Sequence, residues 1–412
     1  SEIKVAQFSG YVSEHSGYHH GEASLNAAIV GMAQNFVGSN NINLFQPNGQ
    51  FGTRLQGGKD SASERYIFTL LNTITRKIYR QDDDQILEYL DDDGLSVEPI
   101  FYCPIIPMIL VNGSKGIGTG FSTDIMQHNP SDIIEYLQDK LVSGTSNKKI
   151  MPYYKNFHGS IYLQENDKYL IKGTYSKTAS KKFKITELPI GVWTDDYKQF
   201  LETIMDKQSK QYVGLVKDYN DLSTDTKVEI EIILTEDVDV VEKLHNQDGI
   251  NGIEKMFKLY TTQTTNNMHA FTSKEKLKKY KNVYDIVEDF YETRLEYYEK
   301  RKAFILEKLA SIQLVLDNKA KYISEILADT LDLRKKTKDQ INSLLSEKNY
   351  TVDKETNDYK YLIKMPMDSV SQENVDKLLK EKEENNEKIT ELSNKTAKDM
   401  WLEELEDLKK VI

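Results

Sequence analysis

The sequence predicts an α+β, multidomain chain: a winged-helix module, then a mixed α/β domain, then a long antiparallel coiled coil with a helical knob at its tip. Three observations predict it. At 412 residues the chain is too long for one compact core and suits about two or three domains. Strand-like alternation marks residues 157–188 and 227–234. From Val283 onward apolar positions recur at a 4,3 spacing, and no proline stands between Pro189 and Pro366.

The elements follow in order. Leu25, Ile29, Met32 or Ala33 and Phe36 fall three to four residues apart from Ala23 on, which predicts an amphipathic helix ending near Gly38 and sets "YHHGE" at its N-terminus. A short apolar run, "NINLF", a turn at "QPNG" and a glycine-rich connection, "FGTRLQGGKD", lead into "RYIFTLL", which alternates like a strand. Helix, strand, long loop and strand is the winged-helix pattern. After residue 100, "YCPIIPMILVNGSKGIGTGF" is apolar, punctuated by proline, then rich in glycine. "GSIYL", "KYLIKGTY", "KFKITEL" and "KVEIEIIL" predict the strands of the mixed domain, where Lys168, Lys172, Lys177, Lys181, Lys182 and Lys184 predict a basic surface. That surface is either a solvated lysine face or a secondary nucleic-acid track. Ile305, Leu309, Ile312, Leu316, Lys319, Ile323 and Ile326 give one long helix; Val375, Leu378, Lys382, Asn385, Ile389, Leu392 and Thr396 give a second with several polar seam positions. The intervening "ILADTLDLRKKTKDQINSLLSEKNY" reads as a helical knob suited to a dimer contact.

Composition narrows the function classes. Net charge is −11, which on average disfavours a nucleic-acid partner. The average hides a local excess: residues 1–80 carry Lys4, Arg54, Lys59, Arg65, Arg76, Lys77 and Arg80 against fewer acids, while "QDDDQILEYLDDDG" (81–94) gathers the acid into an expected solvated loop. No stretch approaches the roughly 20 apolar residues of a membrane-spanning helix. Cys103 is the one cysteine, which excludes an internal disulfide framework and a cysteine-rich zinc site, as in a reducing compartment. The opening "SEIKVAQFSG" has no leader pattern and begins as though inside a folded unit, the expectation for a fragment of something longer.

Three motifs are candidates for chemistry. In "GGKDSASERYIF" Tyr66 is either a packed aromatic or a nucleophile that needs nearby positive charge, since a phenol ionises near pH 10. Arg65 supplies that charge, but adjacent side chains on an extended segment point to opposite faces, so the flexible glycine turn must bend the backbone. His15, His19 and His20 cluster in "SEHSGYHHGE"; they lack the further ligands of a metal site, and at a helix N-terminus a histidine either caps or donates to a phosphate oxygen and protonates a leaving group. "GSKGIGTG" (113–120) matches neither GxxxxGK[ST] nor GxGxxG. Its bulky residue, Ile117, is either buried in a tight turn or a wedge that enters between base pairs and kinks a duplex.

Taken together, "KVAQFSGYVSEHSGYHHGEASL", "AQNFVGSNNINLFQPNGQFGTR", "GGKDSASERYIFT", "PIIPMILVNGSKGIGTGFST", "RLEYYEKRK", "YKYLIKMPMDSVSQENVDKL" and "LSNKTAKDMWLEEL" closely resemble the eukaryotic and viral branch of the type IIA DNA topoisomerases, in the half that breaks and rejoins DNA. The resemblance spans essentially the whole chain. It implies that Tyr66 attacks a DNA phosphodiester to give a 5′-phosphotyrosine and a free 3′-hydroxyl, that Arg65 stabilises the phosphoryl transition state, and that His20 assists at the departing oxygen. It also implies that Ile117 intercalates and bends the duplex and that His19, Ser24, Arg54 and Lys59 line the DNA surface. The implied organisation is an N-terminally truncated winged-helix cleavage domain (1–106), a tower α/β domain (107–277) and a coiled-coil and C-gate dimerisation domain (278–412). The implied partners are double-stranded DNA and a second copy in a homodimer, with no membrane. Mg2+ and ATP serve the full-length enzyme and are bound by domains absent from this chain, the metal-binding one marked in the family by EGDSA-like and DxD motifs; its own metal ligands are none, and alone it should not cleave DNA efficiently. The implied location is the nucleus for a cellular protein, or a viral factory or virion for one encoded by a large DNA virus. The knob looks short, and Pro366 after Met365 departs from the family pattern. Two other readings are a non-catalytic DNA-bending or scaffolding protein derived from this fold, and a structural adaptor built on the coiled coil.

Overall fold

Helices and antiparallel hairpins alternate along the computed structural model, which describes residues 1–412. The architecture is mixed α+β and multidomain, with two compact units: Ser1–Arg294 with Leu402–Ile412, and Leu295–Trp401.

In the first unit, helix Val5–His15 precedes helix Glu22–Ala33. Val5, Leu25, Ile29, Ala33, Phe51 and Ile67 form the core between them, with Phe8 and Val12 against it. The second helix stops short of the expected Gly38. Gln34 turns to extended backbone and its side-chain amide donates to the Phe51 carbonyl at 2.9 Å, while the Asn40 amide takes the Gly31 and Gln34 carbonyls at 2.7 and 2.9 Å. Side chains thus satisfy carbonyls that a further turn would have used. The predicted strand at "RYIFTLL" shrinks to Phe68–Thr69, paired with Ile3–Lys4, because the preceding residues bend into a turn.

The acidic run is not simply a solvated loop. Tyr89–Asp92 and Leu95–Pro99 form a hairpin closed by Asp93 and Gly94 at φ 51° and 88°, the left-handed pair that a tight two-residue turn demands. Asp83 is buried and accepts two hydrogen bonds from Arg294, at 2.9 and 3.1 Å. A second hairpin joins Ser114–Gly118 to Phe121–Ile125, and a third joins Met268–Phe271 to Leu277–Tyr280.

The region 160–264 holds a four-stranded and a three-stranded antiparallel sheet besides the short pair Asn246–Gln247 with Ile250–Asn251. The four-stranded sheet orders Val216–Asp221, Ile230–Leu234, Lys182–Glu187 and Thr174–Ala179; the three-stranded sheet orders Tyr260–Thr264, Lys168–Lys172 and Ser160–Leu163. The alternation in "KVEIEIIL" buries Val228, Ile230, Ile232 and Leu234 against Tyr197, Leu201 and Ile204 of helix Thr194–Met205. Half of the expected basic surface is neutralised. Lys172 pairs with Glu254, Lys177 with Asp239 and Lys184 with Glu229, each at 2.9 Å.

The helix that starts at Val283 runs 45 residues to Leu327, about 67 Å at 1.5 Å per residue. In the second unit its later turns meet helix Gln372–Asn394. Asn385 donates to the Leu309 carbonyl and to Gln313, both at 3.0 Å, Lys382 pairs with Asp317 at 2.6 Å, and Val375 and Leu378 share a core with Ala320 and Ile323. One number falls as the other rises, so the two helices run antiparallel. Thr396, predicted as a seam position, lies outside the helix: the backbone is extended at Lys395, Lys302 holds the Lys395 carbonyl at 2.6 Å, and Thr396 exchanges hydrogen bonds with Asp399 at 3.0 and 3.1 Å to start helix Ala397–Lys409. Between the long helices, Leu331, Leu345, Tyr350, Tyr359 and Leu362 pack a small cluster with helix Lys338–Glu347, capped reciprocally by Thr337 and Gln340. Pro366 sits at the start of a single 3-10 turn, Met367–Ser369.

Candidate active site

The Arg65–Tyr66 segment is a turn. The Tyr66 N–H donates to the Ser63 carbonyl at 2.9 Å. The first two N–H groups of helix Val5–His15, which have no partner within their own helix, donate across to this segment: Val5 to the Ile67 carbonyl at 3.0 Å and Ala6 to the Glu64 carbonyl at 3.1 Å. Ile67 is the anchor, 1% exposed, and Tyr66 beside it is 68% exposed. The bend settles the geometric difficulty of adjacent residues. The Arg65 guanidinium lies 5.3 Å from the centre of the Tyr66 ring, within cation–π range, so both side chains reach the same stretch of solvent.

The glycine connection ahead of the turn is not a flexible wing. Gly52, Gly57 and Gly58 adopt φ of 104°, 65° and 90°, a region closed to most side chains. A Cβ on Gly57 would run into the Trp193 indole, and one on Gly58 would stand 2.6 Å from the Gln34 amide. The glycines permit close approach. The loop is tied down further where Thr194 and Asp195 donate their N–H groups to the Arg54 and Leu55 carbonyls at 3.3 and 3.0 Å, and where the Thr53 N–H donates to Asp60 at 2.8 Å.

Arg54, expected on the DNA surface, is instead buried. Its guanidinium makes an ion pair with Glu187, which also accepts from the His158 and Leu188 N–H groups at 3.1 and 3.0 Å. A carboxylate taken out of water requires a cation beside it, and Arg54 is consumed in that role. Lys59 and Ser24 are exposed, Lys59 on the glycine loop and Ser24 in the first turn of helix Glu22–Ala33.

His19 and His20 are exposed just ahead of Gly21, the cap of that helix. His19 stands 3.9 Å from Asp92, and the His20 ring meets Tyr18 edge-on at 5.6 Å. His15 is engaged elsewhere, stacked on Tyr11 at 4.1 Å and bonded to the Tyr11 carbonyl at 2.9 Å. The structure thus joins Arg65 to Tyr66 directly and carries the histidines on a separate element. No group of three or more His, Cys, Asp or Glu is arranged to hold a metal ion.

Ile117 is on strand Ser114–Gly118, opposite Ser122, and is 95% exposed. The buried-turn reading of this residue does not hold. Sequence reasoning missed Trp193 and Glu187, which hold the loop from more than a hundred residues away and have no local signature. It also missed Asn41, which donates to the Val111, His128 and Tyr153 carbonyls at 2.9, 3.2 and 2.9 Å and ties four segments together. Burial pulls His128 down to about pKa 4, so its imidazole is neutral near pH 7 and structural.

Residues 1–406 match the family described as that of the DNA gyrase and topoisomerase IV A subunits. The chain is 41% identical to DNA topoisomerase 2 of Pisum sativum over 99% of its length and 30% of the relative's. It is 40% identical to DNA topoisomerase 2-alpha of Cricetulus griseus, over 98% of this chain and 28% of that one. Among solved structures, the DNA-binding, cleavage and re-ligation domain of Plasmodium falciparum topoisomerase II superposes with a TM-score of 0.89 at 38% identity, covering all of this chain and 58% of that one. The chain therefore spans about 30% of the length of the curated relatives it matches. With a match over nearly every residue in sequence and in fold, this chain belongs to the DNA gyrase/topoisomerase IV family of A subunits and corresponds to the breakage-reunion region of the type IIA DNA topoisomerases.

Proposed function

We propose that this chain is the DNA-cleavage core of a type II DNA topoisomerase. The observation that carries the reading is the Arg65–Tyr66 turn, with the phenol in solvent, the guanidinium against it and Ile67 locked beneath. The Tyr66 oxygen attacks a DNA phosphorus; the bond from phosphorus to the 3′ oxygen breaks as the new one forms, the phenolic proton leaves to solvent, and the 3′ oxygen takes up a proton. Arg65 stabilises the negative charge on the phosphoryl oxygens in the transition state. His20, exposed at a helix N-terminus, delivers the proton to the 3′ oxygen. Reversal reseals the strand, and a pair of such breaks, one from each copy in a homodimer, opens a duplex for passage of another.

On this reading residues 1–106 are the winged-helix cleavage domain, 107–277 the tower and 278–412 the antiparallel coiled coil with its C-gate knob. Ile117 enters the duplex and bends it, and His19, Ser24 and Lys59 face the DNA; Arg54 is removed from that set by its burial. On this reading Mg2+ and ATP serve the full-length enzyme and are bound by domains other than these 412 residues. No helix is long and apolar enough to cross a membrane. The relatives reported above come from a plant, an animal and a protozoan; they favour the nucleus and lend nothing to a viral setting.

The test is Tyr66→Phe in the full-length protein. Removing one hydroxyl from an exposed ring should leave folding and DNA binding intact and abolish the covalent DNA adduct seen on denaturing gels. Adducts that persist in the variant would overturn the assignment of the nucleophile. An unmodified protein that binds and bends DNA with all metal and ATP-binding regions present, yet never forms an adduct, would instead favour the scaffolding reading.

A further inference from the structure

An exposed loop of the second unit sets a hydroxyl among cations. Residues 328–340 read "ADTLDLRKKTKDQ", and the backbone is irregular from Leu331 to the start of helix Lys338–Glu347. Arg334, Lys335, Lys336, Thr337 and Lys338 are all exposed. Thr337 thus has an arginine and two lysines directly before it and a lysine directly after it.

The surrounding charge argues against a nucleic-acid track. Asp329, Asp332 and Asp339 stand in the same segment as the cations, whereas binding a phosphate backbone needs local positive potential. The arginine is also folded back: its backbone N–H, Nε and Nη2 all donate to Asp332 at 3.0 Å. That pair is open to solvent on both sides, with Arg334 86% and Asp332 53% exposed, and an exposed pair exchanges readily for another carboxylate. Thr337 itself is the N-cap of the helix. Its hydroxyl accepts from the Gln340 N–H at 3.3 Å, and its own N–H donates to the Gln340 side chain at 3.0 Å. The longer of these holds the hydroxyl lightly, and the first turn of a helix is where it frays, so the hydroxyl and its flanks can enter another protein's cleft.

We infer that Thr337 is a phosphorylation site for a basophilic protein kinase, one whose acidic groove reads Arg334 and the adjoining lysines. The Thr337 Oγ attacks the γ-phosphorus of kinase-bound ATP. The new Oγ–P bond forms as the bond from that phosphorus to the β,γ-bridging oxygen breaks, ADP leaves, and the hydroxyl proton passes to a carboxylate of the kinase. The product carries a charge of about −1.5 to −2 at a helix start, where unpaired N–H groups and the helix dipole favour an anion. Lys335, Lys336 and Lys338 flank it along the chain. Modification therefore replaces a neutral cap by a charged one and tightens the helix that carries the buried Leu345. The site stands apart from the cleavage reading and does not depend on it.

The experiment treats the full-length protein with ATP and the catalytic fragment of protein kinase C, which reads basic residues on both sides of its acceptor, and locates phosphate by peptide mass spectrometry. Thr337 should be modified, and R334Q/K335Q/K336Q, changed only at exposed positions, should lose at least about tenfold in the rate at that residue. Amide exchange over residues 338–340 should slow roughly twofold to fivefold on modification and recover with phosphatase. Thr337→Asn keeps a capping oxygen and removes the acceptor, so kinase treatment should leave its exchange unchanged. No phosphate on Thr337, or an equal rate in the triple variant, overturns the site. Phosphate on Thr337 with unchanged or faster exchange overturns the tightened cap. A lowered DNA salt slope in the triple variant, with no phosphate on the unmodified protein, overturns the site in favour of a nucleic-acid contact.

Discussion

Arg54→Ala separates two roles for one residue. A phosphate contact at the surface and a buried counter-ion are both consistent with an arginine in a glycine-rich loop, and they predict opposite outcomes. In the structure Glu187 is 1% exposed and its carboxylate is met by Arg54 and two backbone N–H groups. Deleting the guanidinium leaves that charge without a cation in a place that water does not reach, and breaking a buried pair in this way costs about 3–5 kcal/mol. The loop between Thr53 and Asp60 should loosen first, because its carbonyls at Arg54 and Leu55 hold the Thr194 and Asp195 amides. Urea unfolding followed by tryptophan fluorescence reads the loss, since Trp193 packs on Gly57 in the same contact. Arg54→Met combined with Glu187→Leu should recover most of it, because an apolar pair of similar volume removes both charges together. DNA binding provides the second readout: a lost phosphate contact would lower the salt slope by about 0.9, while loss of a buried ion pair should leave the slope of the folded fraction unchanged. A variant of unaltered stability with a lowered slope would refute the structural role.

Two further outcomes follow from the same geometry. Ile117→Ala should change stability by less than about 0.5 kcal/mol, as for an exposed side chain free of special contacts, yet should reduce DNA bending measured by energy transfer between labelled duplex ends. His128 should make stability fall as pH falls: burial lowers its folded pKa from 6.5 to about 4, so the unfolded chain binds the proton first, and the contribution is complete above pH 6.5 and lost progressively toward pH 4. The full effect is about 3 kcal/mol, and His128→Gln should flatten that part of the pH profile in thermal unfolding.

What the sequence could disclose depended on how local each cause was. Helix Glu22–Ala33 and the antiparallel pair built on Leu309 and Asn385 were legible, because a 3.6-residue or 4,3 period is a property of neighbours along the chain. So was the strand Ile230–Leu234, whose alternate residues are buried. The end of helix Glu22–Ala33 was not, since it is set by side-chain amides at Gln34 and Asn40. Half of the lysine face was illegible for the same reason at longer range: the neutralising carboxylates stand 45 residues from Lys184, 62 from Lys177 and 82 from Lys172. At the site, the motif singled out Arg65 and Tyr66, but the bend that brings them together is fixed by N–H groups some sixty residues upstream. The glycines were read as freedom because their partner, Trp193, is far along the chain.

The sharp change in burial between Tyr66 and Ile67 has an energetic consequence for a reversible reaction. A side chain that contributes almost nothing to the core can be loaded with a nucleotide strand and unloaded again while the fold registers little difference. The protein on either side of the proposed transfer then has nearly the same conformational free energy, and the equilibrium between cut and sealed DNA is left to the exchange of one phosphate ester for another. Anchoring through residue 67 supplies the fixed point; isolation of residue 66 keeps the scaffold from taking sides.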